Sequence, residues 1–450
     1  MSFIHYRRGS MNTKIDFING DTKKSFAAMA IPMILAMYLN MAYNIVDSLW
    51  IGNLLGESAY AALTNSTPVI LLLTSIGMGA TNAITISISQ ALGKKDLKKV
   101  NTVISTSLVI SILFAICITI ILEIFLKKIL ISLNTPREIL EMAYQYLSIY
   151  IVGYLAVYLF LYFTAVLRSF GNSMFQAIAI LVSTGLNAIL DPIFINLLGF
   201  RGAAIATVLS QTICLFFMII YISRKKYFKV YIKLCDKEVL LDIVKKAIPS
   251  IIQQSIPAIS TTFLTALVSS YSIAAIAGYG IIGKLETVLL YPAMGLNMVL
   301  TAIIGQCIGG KRVDRARNYL KCSIIYGVLG LAVLSIIFVV SARPLSRLFL
   351  DSANASKLVS QYFMIVGFGY VLNTITNIYL GALNGMGKPS ISMLLMIIYY
   401  IAVRMPLAFI LSSFTPLGLS GIWLAVLISH IIACLVATIT GIHRIRFLSI

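Results

Sequence analysis

Charge is what this 450-residue chain has least of: 11% of its side chains are Asp, Glu, Lys or Arg, against 59% that are hydrophobic. An average soluble domain is about 25% charged, so this composition excludes a water-soluble fold, which would have too few charges to cover its surface. A mean hydropathy of +0.95 requires apolar surface that faces lipid. Acidic residues are the scarcer kind, 15 against 35 basic ones, leaving a net charge of +20. The basic residues sit in short runs between long apolar stretches, which is the distribution of the positive-inside rule. They are not interleaved with stacking aromatics, so nucleic acid is not an expected partner. The three histidines, His5, His430 and His443, are scattered, and no G-x-x-x-x-G-K-[ST] phosphate loop exists, which argues against an enzyme or an ATP-driven pump. Gly77-Met78-Gly79, inside an apolar stretch, fits helix packing better than a nucleotide site. The cysteines at 117, 214, 235, 307, 322 and 434 form no C-x-x-C pair, so neither a zinc site nor a disulfide framework is expected.

What remains is apolar sequence in long runs. A hydrocarbon core about 30 Å thick takes roughly 20 residues of helix. That ruler places twelve spans, at 26–52, 58–91, 101–126, 142–167, 173–198, 202–223, 247–270, 276–308, 319–342, 358–384, 389–413 and 418–441. The first continues too far, with no small-x-small cleavage pattern, to be a signal peptide, and reads as a retained span. With the N-terminus cytoplasmic, the outer loops hold only Lys127, Lys128, Arg137, Arg201, Arg343, Arg347 and Lys357, so both termini are expected in the cytoplasm and the protein in the plasma membrane.

The chain repeats itself. Gln145-Tyr146, Gly153-Tyr154, Leu167 and Gly171 return 216 residues later as Gln361-Tyr362, Gly369-Tyr370, Leu383 and Gly387. Met78-Gly79 and Gln90-x-x-Gly93 return at the same offset as Met294-Gly295 and Gln306-x-x-Gly309. Six spans per repeat is an even number, so both halves enter the membrane in the same sense and are related by an axis along its normal. The expected fold is an all-α integral membrane protein of twelve transmembrane helices in two six-helix lobes. The expected boundaries are a cytoplasmic segment 1–25, an N-lobe 26–223, a basic linker 224–246, a C-lobe 247–441 and a tail 442–450.

Ionisable groups within spans are costly and mark functional sites by default; Asp47, Asp191 and Glu286 qualify. Met33, Met37, Asn40, Asn44 and Asp47 follow steps of 4, 3, 4 and 3, one stripe of the first helix that must face the bundle interior. Thr184, Asn187 and Asp191 make a similar stripe on the fifth. Asp47 and Asp191 lie roughly 8 and 10 Å from the outer ends of their spans and Thr207 roughly 9 Å into the sixth, by a rise of about 1.5 Å per residue. Asp47, Asn187, Asp191 and Thr207 are therefore expected to converge in the N-lobe. Pro192 frees the Ala188 carbonyl from the helix ladder. Such oxygens suit a hard cation, and paired carboxylates equally suit a carried proton; a hydrogen-bonded Asp that only fixes packing is the plainer alternative. Glu286, roughly 15 Å deep by the same rise, is placed beside the cleft between lobes to meet a cationic substrate, with a local ion pair to another helix as the plainer alternative; Lys284, two residues away, points elsewhere on the helix, and Arg404 is expected either to pair with a carboxylate or to snorkel toward the nearer interface. Met33 and Met37 are candidate cavity linings. Pro32, Pro192 and Pro249 are candidate hinges among the span prolines.

Several local motifs carry a family resemblance: Ala30-Ile31-Pro32 leading to Asp47, Gln90-x-x-Gly93, Leu167-Arg168-Ser169-Phe170-Gly171-Asn172, Leu186-Asn187-x-x-x-Asp191-Pro192 and Gly202-Ala203-Ala204-x-Ala206-Thr207. In these the chain resembles the multidrug and toxic compound extrusion (MATE) transporters, over nearly its whole length. The resemblance implies export of bulky organic cations, such as drugs and dyes, by a monomer in contact with membrane lipid. It also implies exchange against inward H⁺ or Na⁺, with no other cofactor. It assigns Asp47, Asn187, Asp191 and Thr207 as N-lobe cation ligands. The C-lobe departs from one branch of the family, having Thr261, Thr262 and Thr265 in the seventh span and Asn373 where the tenth would carry an acid. Asn40, Asn44 and Asn373 join Met33, Met37 and Glu286 as candidate substrate contacts. A lipid-linked oligosaccharide flippase of the wider superfamily is the alternative; it would need a strongly cationic cavity.

Overall fold

The computed structural model describes residues 15–133, 135–228, 236–348 and 353–447. His5, Cys235, and parts of the N-terminal segment, the linker and the tail lie outside them. The chain begins its helices with α1 (Thr22–Leu55), α2 (Glu57–Gly93), α3 (Leu97–Ser132), α4 (Arg137–Val152), α5 (Tyr154–Ser169), α6 (Ser173–Leu198) and α7 (Phe200–Lys225). The second half follows with α8 (Lys237–Ser269), α9 (Ile273–Gly309), α10 (Val313–Arg347), α11 (Ala353–Val366), α12 (Gly369–Gly385) and α13 (Pro389–Met396). A π-helical stretch, Ile397–Arg404, then joins α13 to α14 (Met405–Ser413), and α15 (Leu419–Phe447) closes the chain. Counting α4–α5, α11–α12 and α13–α14 as one span each gives the twelve spans read from hydropathy.

Polar caps set where these helices start. Asp21 accepts from the Lys24 amide at 2.7 Å, Asp96 from that of Lys99 at 2.9 Å and Asn172 from that of Phe175 at 3.2 Å. Each satisfies an amide with no carbonyl to reach inside its own helix. Two spans are bent, by 49° between α4 and α5 and by 54° between α11 and α12. Neither bend has a proline. The first is at Gly153, where a Cβ would stand 2.4 Å from the Val208 side chain of α7, and the second at Gly367, where it would stand 2.4 Å from the Phe363 carbonyl. Pro32, Pro192 and Pro249 lie inside unbroken helices.

Two lobes of six spans, α1–α7 and α8–α15, repeat one another down to their turns. Lys95 and Lys311 share a φ of 56° and 57°, and Gly171 and Gly387 a φ of 80° and 77°. The central helices are α9 and α2, with 72% and 61% of their apolar windows buried against 11% for the lipid-facing α3. Lobe meets lobe along α2 with α8 and α9, and along α1 with α9 and α10. A Cβ on Gly79 would stand 2.4 Å from the Ile251 Cα, and Gly295, its repeat counterpart, packs against Met33 and Met37 of α1. Small residues thus let the backbones of the two lobes touch. The seam lies toward the end of the bundle that bears the α2–α3 and α9–α10 turns and their lysines. Residues 15–20 cross it there: Phe17 is buried edge-on to Tyr319 and over Gly171, and Arg315 donates to the carbonyls of Phe17 and Gly20.

Candidate functional site

In the N-lobe α1 packs along α6, which brings Asp47 toward Asn187 and Asp191, and α7 supplies the third wall. Asp191 and Asn187 are completely buried, and Asp47 and Thr207 nearly so. Asn187 Nδ2 donates to Asp191 Oδ1 at 2.9 Å, one turn apart on α6. The Asp47 carboxyl lies within hydrogen-bonding reach of Asp191, and the Tyr43 hydroxyl, one turn before Asp47, lies against Thr207. Asp47 Oδ1, Asp191 Oδ2, Asn187 Oδ1, Thr207 Oγ1 and the Tyr43 hydroxyl have no hydrogen-bond partner. Five buried, unpartnered oxygens in one cluster are far from what folding tolerates by default. They form an acidic cage whose donor set, carboxylates, an amide carbonyl and hydroxyls, suits a hard monovalent cation or a proton. Asp47, Asn187, Asp191 and Thr207 are thus brought together. Tyr43 escaped the sequence reading, although its place one turn from Asp47 on the same stripe was the available signal.

The C-lobe holds a second polar core. Arg404, at the end of the π-helical stretch, lies 4.4 and 4.8 Å from the ring centroids of Tyr400 and Tyr399. It donates to Ser429 Oγ at 2.9 Å and to the Tyr399 hydroxyl at 3.0 Å. It neither snorkels to an interface nor has a carboxylate within 4 Å among the described residues. Asn373 Nδ2 also donates to Tyr399, at 3.0 Å, so that hydroxyl must give its own proton to His430 Nδ1, 2.5 Å away. The buried His430 is therefore the Nε2–H tautomer, with that nitrogen unpartnered. Glu286, half-buried on α9, accepts from Tyr362 at 3.4 Å, and Tyr362 meets Tyr370 at 2.9 Å. Lys284 is exposed, and Thr261, Thr262 and Thr265 are exposed with their hydroxyls bonded back to their own helix.

Between the lobes Tyr38 donates to the Val288 carbonyl at 3.2 Å. Asn40 and Asn44 are exposed on α1, whereas Met33 and Met37 are buried in the seam. A cavity of about 20 Å³, room for one water, is lined by Met78, Gln254, Met294, Asn297, Met298 and Asn377. Met78 and Met294 are repeat counterparts that the sequence showed only as landmarks.

Two repeated helical lobes joined at one end, with an unpartnered oxygen cage inside one of them, define a membrane transporter. The comparisons name its kind: residues 32–193 and again 249–410 match the MatE family, and the chain belongs to it. It is 28% identical to the probable multidrug resistance protein YpnP of Bacillus subtilis, over 91% of this chain and 93% of that one. It is 27% identical to the multidrug export protein MepA of Staphylococcus aureus, over 92% of each. Among solved structures, it superposes with a TM-score of 0.91 and 24% identity on an outward-facing multidrug resistance MATE transporter, covering 96% of this chain and 98% of that one. A transporter of the same superfamily from Pyrococcus furiosus, described as having a binding pocket of reversed polarity, superposes at 0.92 with 23% identity over 96% and 98%.

Proposed function

We propose that the chain is a secondary multidrug exporter that moves organic cations outward in exchange for H⁺ or Na⁺ moving inward, by alternate opening of the cleft between its lobes. The observation that carries this reading is the cage of unpartnered oxygens around Asp47 and Asp191, buried where only a cation or proton would compensate it. Relatives called multidrug resistance and multidrug export proteins support the substrate class. Lobes at 26–223 and 247–441, a linker at 224–246, a monomer, and a plasma-membrane location with both termini cytoplasmic belong to the same proposal. With the basic end in the cytoplasm, the closed seam corresponds to a state shut on its inner side.

In this cycle the substrate leaves the outward-open cleft, past Asn40 and Asn44, with Glu286 as its anionic contact. Asn373 takes part through the Tyr399 network, and Met33 and Met37 become cleft lining once the seam opens. A coupling ion then occupies Asp47, Asn187, Asp191 and Thr207 and favours one of the two states. An ion of equal affinity for both would drive nothing. Flexing of α1 near Pro32, α6 near Pro192 and α8 near Pro249 is the proposed route from the cage to the seam. The flippase reading is disfavoured because Arg404, one of only two cations it could use, is held among tyrosines inside the C-lobe. The test is uptake of a fluorescent organic cation into inside-out liposomes under an imposed H⁺ or Na⁺ gradient. Gradient-driven uptake that Asp191→Asn abolishes is expected; no uptake with either ion refutes the exporter reading for that dye.

A further inference from the structure

The two halves of the repeat make the same contact in opposite directions. Gln90, in the last turn of α2, donates through Nε2 to the Gly385 carbonyl at the end of α12, 3.0 Å away. Gln306, its counterpart in the last turn of α9, donates to the Ser169 carbonyl at the end of α5, 2.6 Å away. Ser169 and Gly385 are themselves counterparts, 216 residues apart. The backbones interlock around the pair. A Cβ on Gly93 would stand 2.0 Å from the Gln306 carbonyl oxygen, and one on Gly309 2.1 Å from that of Gln90.

The last carbonyls of a helix have no partner within it. The Gln306 bond is buried, so the Ser169 carbonyl would be orphaned in the closed seam without the amide that reaches across, while the Gln90 bond to Gly385 is part-buried. Once the seam opens, water can replace the amide on both sides, so the bonds hold the closed state without making it irreversible. Neither of these two bonds involves a charged group.

We propose that Gln90 and Gln306 form a reciprocal clasp that sets how readily the two lobes part at their basic end. They are positioning residues for alternating access that touch neither ion nor substrate. The inference rests on the two-lobe transporter reading but not on the identity of the ion or substrate. A typical net hydrogen bond is worth about fivefold in an equilibrium, so loss of one bond is expected to shift the closed-to-open ratio of the seam about fivefold and loss of both about 25-fold. Loss of the buried Gln306 bond should have at least as large an effect as loss of the part-buried Gln90 bond.

The test places spin labels at Lys98→Cys and Asp314→Cys, exposed counterpart positions at the starts of α3 and α10. The full chain, with its native cysteines replaced, is then reconstituted in lipid nanodiscs for pulsed-dipolar distance measurement. Gln90→Ala and Gln306→Ala should each add a longer-distance population, and the double variant should multiply the two shifts. Gln90→Met and Gln306→Met keep the length of the side chain while removing the donor, and decide the matter if an alanine variant misfolds. Distance distributions of folded Met variants that superimpose on the parent overturn the clasp. Dye uptake by the same purified parent reconstituted in liposomes separates failure of the clasp from failure of the exporter reading.

Discussion

Replacing Asp191 with Asn removes one charge from the N-lobe cage and leaves its shape. Asp191 Oδ1 already accepts from Asn187, and its Oδ2 is one of the unpartnered oxygens. Hydrogen bonds and contacts to a charged group are worth about 1.5–3 kcal/mol, so affinity for the coupling ion should fall by roughly 10- to 150-fold. Linkage turns this into a stability measurement. An ion at 100 times its Kd stabilises the protein that binds it by about 2.7 kcal/mol. At the same concentration, a variant with affinity lowered about 100-fold gains only about 0.4 kcal/mol. The assay is thermal unfolding in detergent with Na⁺ replaced by a bulky organic cation, and separately across pH. Trp50, three residues beyond Asp47 on α1, serves as the fluorescent reporter once Trp423 is replaced by Phe. The parent should show an ion- or proton-dependent rise in Tm that Asp191→Asn nearly abolishes. Asp47→Asn should behave alike, and the double variant should add little, because the two carboxylates act as one site. An Asp191→Asn variant whose Tm responds to Na⁺ and to pH as the parent does would refute the cage as the coupling site.

Three further outcomes are expected. Glu286→Gln should raise the KM for cationic dyes while leaving neutral substrates unaffected; equal changes for both would remove Glu286 from substrate recognition. Arg404→Leu should destabilise the C-lobe by about 2–3 kcal/mol, since it strips charged hydrogen bonds from Ser429 and Tyr399 and leaves both rings without their cation, which denaturant unfolding of the purified protein would register. The residue 15–20 crossing should stay docked, by hydrogen exchange at Phe17, from pH 7 down to about 5. Burial of the Asp16 carboxyl works against its ionisation, but bonds from Asn19 and Ile18 and the charge of Lys95 outweigh this and hold it below the usual carboxylate range. Its support is therefore complete above the unfolded pKa and fades only as pH falls through the depressed one.

Much of the N-lobe cage was legible in the sequence because its residues belong to helices whose depth follows from counting. Asp47, Asn187, Asp191 and Thr207 could be placed at one level by rise per residue alone. Tyr43 was not singled out, since an aromatic on an apolar helix looks like core until its hydroxyl is found beside Thr207. The C-lobe core was less legible. Arg404, Tyr399, Asn373 and His430 lie on three different spans, and their meeting depends on a π-helical turn that no periodicity signals. The bends at Gly153 and Gly367 were hidden for a related reason: glycine permits a close approach, but only the neighbour's position shows that one occurs.

The sequence by itself determined the twelve spans and the six-plus-six repeat, because lipid imposes a one-dimensional rule on every segment. The tertiary structure alone decided how lobe sits on lobe. Gln90 and Gln306 stand out in the chain only as echoes of each other, and the carbonyls they reach, on Gly385 and Ser169, lie 295 and 137 residues away. Such contacts are fixed by the shape of two packed backbones, and packing is a property of surfaces that hydropathy and spacing do not encode.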